Sequence, residues 1–170
     1  ITAHQADDNL ETIILNFTRG ASLQGLIGME EIQLLEKSLF LFRPLLQLSK
    51  KQITDYLKLH KIAYKIDSSN KDTIYKRNFI RHKIVPLLIQ MNPNIIKTIS
   101  QNSQNIKELD EFTKNLARNW LTKNSTKTKN STTTLNAKNF RQQPSALQKI
   151  IILELYKNLI GNTTNLQSKN

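Results

Sequence analysis

Apolar residues near the start of the chain recur at helical spacing. Leu10, Ile13, Ile14 and Phe17 follow an i, i+3, i+4, i+7 pattern that buries one stripe of a helix. The pattern predicts a helix running to about Thr18 and stopping at Gly20, where glycine accepts a positive φ. Residues 38–42 form a short apolar run with strand character, and Arg43-Pro44 ends it. Ser49 and Gln52 match a capping box, after which Ile53, Tyr56, Leu57 and His60 continue at helical spacing to about Lys61. Residues 62–66 read as a further strand. Helix, strand, helix, strand in that order suggests the back half of an α/β unit with parallel pairing.

Residues 74–89 place Ile80, Ile84, Leu87 and Leu88 on one helical face and Arg77 and Arg81 on another, at i, i+4. Pro86 lies inside this pattern, removes a backbone donor and should kink or break the helix. Residues 94–121 read as a long helix with Ile106, Leu109, Thr113, Leu116 and Trp120 as core positions. Residues 121–134 are, after Leu121, only Asn, Lys, Ser and Thr without periodicity and predict a mobile loop. Pro144 then opens an apolar helix over residues 146–160, ended by Gly161 and followed by a polar tail. Its run Ile150, Ile151, Ile152, Leu153 predicts burial all round.

A length of 170 residues suits one ordinary domain or two small ones. The pattern places the division at residues 92 and 93. With no cysteine there is no disulfide framework, thiolate zinc site or cysteine nucleophile. No apolar run approaches 18 residues and no signal-peptide pattern is present, so a soluble cytoplasmic protein without a membrane partner is expected. No Met precedes Ile1, and Ile1-Thr2-Ala3 reads as the end of a strand, so the chain is expected to be an internal piece. The net charge of +12 points to an anionic partner such as nucleic acid. A solvated lysine surface is the competing account, since 19 of the 25 basic residues are Lys. The excess sits mainly in the back half, with 13 basic and 9 acidic residues up to position 92 and 12 and 4 after it.

The chemistry-bearing residues gather at the first helix. Asp7 and Glu11 are four apart and Asp8 and Glu11 three apart, so their carboxylates converge on the surface away from the apolar stripe. Acids in a first turn are also stabilised by the helix dipole alone and need no function. Two adjacent Asp and a Glu can hold a hard cation such as Mg²⁺ through oxygen, and the nearby His4 can position or shuttle a proton. Three of the four glycines fall between Gly20 and Gly28, as either a connecting loop or a backbone that approaches a ligand closely. Arg19 at its mouth is a dipole partner or a phosphate contact.

Several strings occur in a fixed order: His4-x-x-Asp7-Asp8-x-x-Glu11-Thr12, Arg19-Gly20, Gly25-Leu26-x-Gly28-Met29, Arg43-Pro44-Leu45-Leu46, Asp67-x-Ser69-Asn70-x-Asp72 and Arg77-Asn78-x-Ile80-Arg81. In that order and spacing they resemble the tRNA(Ile)-lysidine synthetases over roughly residues 1–93. Two departures stand out. Ala21-Ser22 occupies the place where the family usually has a second glycine, and the family's Ser-Gly-Gly-x-Asp-Ser pyrophosphate loop is not in this sequence.

The resemblance implies an α/β fold class: the C-terminal part of a Rossmann-like pyrophosphate-loop ATPase domain over residues 1–92, followed by an all-α, tRNA-binding domain over residues 93–170. It implies ATP and Mg²⁺ as cofactors, and tRNA(Ile) with a CAU anticodon and free lysine as partners. It leaves the oligomeric state open, a homodimer included. The implied reaction joins lysine to C2 of the wobble cytidine through an adenylated intermediate. Asp8, Glu11, Arg77 and His4 are then the candidate catalytic residues, Asp7, Arg19, Asn78 and Arg81 the substrate-binding ones, and Asp7 and Asp8 the metal ligands. The chain by itself is expected not to activate ATP. A thiolase-type pyrophosphate-loop enzyme and a non-enzymatic basic RNA-binding module are the alternatives.

Overall fold

The computed structural model of the chain describes residues 1–36, 38–65, 76–127 and 133–160. These form two compact units, Ile1–Lys107 and Glu108–Asn170. The division falls inside one helix, α6 (Ile95–Asn124), while the sequence division at residues 92 and 93 falls at the turn before it.

In the first unit, α1 (Ala6–Thr18) ends as its sequence predicts, with Gly20 at φ +78°. Its buried stripe is shorter than predicted. Leu10 and Ile13 are buried, but Phe17 is 71% exposed and Leu15 packs on the core instead. The last turn of a helix has little beneath it once the chain turns away at Gly20. The glycine-rich stretch is not a plain loop, because α2 (Leu23–Ile27) lies within it. Gly28 has φ +76°, and a Cβ there would stand 2.3 Å from Asn9 Oδ1. Close approach at Gly28 therefore serves internal packing.

Strand β2 (Leu39–Phe42) pairs antiparallel with β1 (Ile32–Glu36), with Ile32 opposite Phe42 and Leu34 opposite Phe40. This corrects the expected parallel pairing, and β1 was not predicted at all. Two residues separate these strands, a connection that can join only antiparallel neighbours. Thr2 N–H donates to Phe42 O at 2.9 Å, so the first residues lie beside the end of β2. Helix α3 (Lys50–Leu59) carries the predicted Ser49–Gln52 capping box, although none of its residues is buried. Residues 62–65 form no strand. Ile62 N–H is spent on Leu57 O at the end of α3, after a turn at Lys61 with φ +53°. Residue 66 and the polar cluster at residues 67–72 lie outside the described residues.

The arginine-bearing helix is built in three pieces: α4 (Lys76–Phe79), a π-helical segment (Ile80–Ile84) and α5 (Val85–Met91). The chain stays helical through Pro86 rather than stopping there, and a π turn, which holds one residue more than an α turn, stands just before the proline. Ile80 and Val85 join Leu10 as the core of this unit, with Ile14, Leu15, Ile84, Ile95, Ile96 and Ile99 against them.

In the second unit the core is Ala117, Leu121 and Ile151, packed by Trp120, Leu135, Phe140, Leu147, Ile150 and Leu155. The α6 stripe is displaced from the predicted one, since Leu109 is 54% and Leu116 42% exposed. The small side chain of Ala117 permits close approach, and size alone pointed to the leucines. The unit is not all-α. Helix α6 runs on to Asn124, and β3 (Ser125–Lys127) and β4 (Thr133–Leu135) form an antiparallel hairpin where a loop was expected. Thr126, Thr133 and Thr134 are β-branched and suit a pleated strand. Asn136 caps α7 (Ala137–Arg141) by accepting from Asn139 N–H at 3.1 Å. In α8 (Ser145–Ile160) Ile151 is fully buried while Ile152 and Leu153 are exposed, so the apolar run is buried on one side only. Residues 128–132 of the expected loop, Gly161 and the tail after it lie outside the described residues. No helix among the described residues is long and apolar enough to cross a membrane.

Candidate active site

The three acids of α1 do not share one surface. Asp7 Oδ2 accepts from Lys50 N–H at 2.7 Å, placing its charge at the N-terminus of α3, where orphan amides and the helix dipole favour an anion. Asp8, at the third position of α1, accepts from Gln5 N–H through Oδ2 at 3.1 Å and so closes the start of its own helix. Its other oxygen faces α4 and the π segment, and Glu11 lies one turn further along the same side.

Glu11 is the centre of the cluster. Its side chain is 3% exposed, and both its oxygens are taken by guanidinia. Arg81 donates from Nε to Oε1 at 2.6 Å and from Nη2 to Oε2 at 2.9 Å, a fork-to-fork pair. Arg77 donates from Nε to the same Oε2 at 3.0 Å. Asp8 Oδ1 accepts from Arg81 Nη2 at 2.9 Å and lies 3.6 Å from Arg77 Nη2, which also donates to the Asp8 carbonyl at 3.2 Å. Two carboxylates and two guanidinia thus balance in charge. The Glu11 hydrogen bond is the main cause that raises the Arg81 pKa above its ordinary value, with burial working the other way. A raised cationic pKa keeps its stabilising charge below the ordinary value and loses it only above, so Arg81 adds no pH dependence near neutrality.

Among the acids and bases singled out from sequence, Asp8, Glu11, Arg77 and Arg81 meet in this cluster. Asn78 lies half-buried on α4, and Arg19 is exposed at the C-cap of α1. His4 Nδ1 is 2.9 Å from Thr2 Oγ1. The Mg²⁺ implied by the resemblance needs several open oxygens. Asp7 and Asp8 do not offer them in this arrangement, because each carboxylate already accepts from protein donors. No group of three or more His, Cys, Asp or Glu among the described residues could hold a metal.

Two residues near the site were not assigned a role from sequence. Asn9 is buried, and its Oδ1 accepts from Met29 N–H at 2.7 Å, fastening the segment after α2 to α1. The signal was there: Asn9 stands four residues before Ile13, on the apolar side of the helix. Arg43 is also buried and donates to Glu30 O at 2.8 Å and Gln33 Oε1 at 2.9 Å, which ties the base of the β1–β2 hairpin. A cleft of about 1080 Å³ in the first unit is lined by Asp7, Asn9, Met29, Lys97, Gln101 and Gln104 among others, and by none of the four residues of the ion-pair cluster.

A family model described as a PP-loop domain matches residues 1–88. A tRNA(Ile)-lysidine synthase of Nitrosomonas europaea is 43% identical over 128 residues, covering 72% of this chain and 28% of that protein. One of Porphyromonas gingivalis is 40% identical over 110 residues, 65% of this chain and 23% of the relative. One of Rhodopirellula baltica is 37% identical over 119 residues, 70% of this chain and 30% of the relative. The chain spans about a quarter of the length of the curated relatives it matches.

Proposed function

Since the chain belongs to the PP-loop domain family, we propose that it is part of a tRNA(Ile)-lysidine synthetase, acting in ATP-dependent joining of lysine to C2 of the wobble cytidine in a CAU anticodon. The observation that supports this most is the Asp8–Glu11–Arg77–Arg81 cluster, which unites two sequence strings 66 or more residues apart. In such a reaction ATP activates the C2 oxygen as its adenylate with loss of pyrophosphate, and the lysine amine then displaces AMP.

Within that reading, Arg77 is the phosphate-binding residue. Its side chain is 39% exposed and only part of its five-donor fork is committed to Asp8 and Glu11. Arg81, with three bonds to the same acids, braces the cluster. Glu11 has both oxygens on guanidinia and acts as a positioning residue. Asp8, at 16% exposure, is the carboxylate nearer solvent and the one to meet the cationic lysine amine. His4 is assigned to the neighbourhood of the activated base, with Asn78 in support of Arg77 and Arg19 in contact with the tRNA backbone. Asp7 holds α3 in place beside the site. The basic residues after position 93 carry the tRNA through its phosphates.

The test is a chimera in which this chain replaces the matching segment of the Nitrosomonas europaea relative. ATP-dependent incorporation of labelled lysine into a tRNA(Ile) transcript with a CAU anticodon is the measurement. Arg77→Lys should lower the rate by about 10²-fold, the scale for losing a preorganised donor, and Glu11→Gln, which loosens the carboxylate that holds that donor, should lower it by about as much. Unchanged incorporation in both variants overturns the assignment.

A further inference from the structure

Ile80 and Val85 belong to one buried cluster with Leu10, although they stand five positions apart. At about 100° per residue a regular α-helix would set them roughly 140° apart. They share a side because residues 80–84 form a π turn, closed by Val85 N–H donating to Ile80 O. Such a turn holds one residue more than an α turn. It stands directly before Pro86 in the first turn of α5. In α geometry the Pro86 ring would run into the carbonyl of His82 and leave that carbonyl without its donor; widening the turn relieves the collision.

The extra residue has a consequence for the ion-pair cluster. With Val85 held in the core, an unbroken α-helix would bring Arg81, four residues earlier, toward Leu10 and carry Ile80 off it. The guanidinium would leave Glu11 for an apolar environment. The π turn lets one helix put Ile80 and Val85 into the core and still lay Arg77 and Arg81 on Asp8 and Glu11.

We propose that Pro86 is a positioning residue for Arg81 and Arg77, acting through the π turn to set the rotation of α4 relative to α5. Its catalytic meaning rests on the function proposed above; its structural content does not. Removing the proline makes the unbroken α-helix available. Deleting the exposed Lys83 as well removes the extra residue, so that a plain α-helix places Ile80 and Val85 four apart and restores the arginine register without proline.

The experiment follows the Arg Nε–H resonances in the ¹⁵N-labelled chain. In the unaltered chain Arg81 Nε–H should exchange slowly with solvent because Glu11 accepts it. Pro86→Ala should speed that exchange by roughly tenfold or more without loss of helical circular dichroism, since Ala is the better helix former. The double variant, Pro86→Ala with Lys83 deleted, should return the slow exchange. A proline that merely stiffened the helix would alter stability and leave the arginine protected. Retained protection in Pro86→Ala overturns the proposal, as does failure of the double variant to restore it. If Pro86→Ala does not fold, the double variant alone decides on the same criterion. Full lysidine formation by an Arg81→Lys chimera, beside the expected exchange results, would count against a catalytic part for this arginine and leave the positioning inference standing.

Discussion

Replacing Glu11 with Gln keeps the shape of the side chain and removes the charge that two guanidinia share. Breaking one side of a buried ion pair costs about 3–5 kcal/mol, because the remaining charge is left uncompensated. Here the remaining groups are partly wet, with side-chain exposures of 39% for Arg77 and 29% for Arg81. Asp8 also stays within reach of both. Screening and the surviving partner reduce the expected loss to roughly 2–3 kcal/mol. For a unit the size of Ile1–Lys107, about 4–8 °C per kcal/mol predicts a fall in melting temperature of about 8–24 °C. Trp120, the single tryptophan, packs in the second unit and provides an internal control. Circular dichroism of the variant should therefore show an early transition that tryptophan fluorescence does not follow. The comparison variant is Asp7→Asn, whose carboxylate only caps the exposed start of α3 and should cost about 1 kcal/mol. If Glu11→Gln melts no earlier than Asp7→Asn, the central role given to Glu11 in this cluster is wrong.

Arg77→Lys in the chimera should keep most tRNA affinity while slowing pyrophosphate release in a single turnover by about 10²-fold, because lysine keeps the charge and loses the planar fork. A rate loss that tracks filter-binding affinity would make Arg77 an RNA contact only. Gly28→Ala should destabilise the first unit by about 2 kcal/mol in urea titrations, from strain at its positive φ and from collision with Asn9; an unshifted midpoint would show that Asn9 moves freely. The chain should bind tRNA with little sequence preference and with affinity falling steeply between about 50 and 200 mM salt, as phosphate neutralisation requires. Salt-insensitive or absent binding at low salt would reduce the basic excess to a solvated surface. The unaltered chain, incubated alone with ATP, lysine and tRNA, should form no lysidine, because the backbone donors of a pyrophosphate loop are not in its sequence; measurable product would refute this.

Local rules decided what lies within a turn or two of sequence. The length of α1, its stop at Gly20 and the capping box that starts α3 follow from spacing, a positive φ and a side chain three residues away, so they were legible before any fold was known. Motif order likewise brought Asp8, Glu11, Arg77 and Arg81 together as candidates. What each carboxylate does was settled by distant partners: Lys50 drew Asp7 to α3, while Arg77 and Arg81 took both oxygens of Glu11. Helical periodicity treats all large apolar residues alike, so it selected Leu109 and Leu116 when the second unit closed on Ala117. Proline chemistry announced a disturbance at Pro86 but not its form. Whether a helix breaks, bends or widens there depends on what its two halves must reach, and only Leu10 in the core and Glu11 beside it determined that it widens.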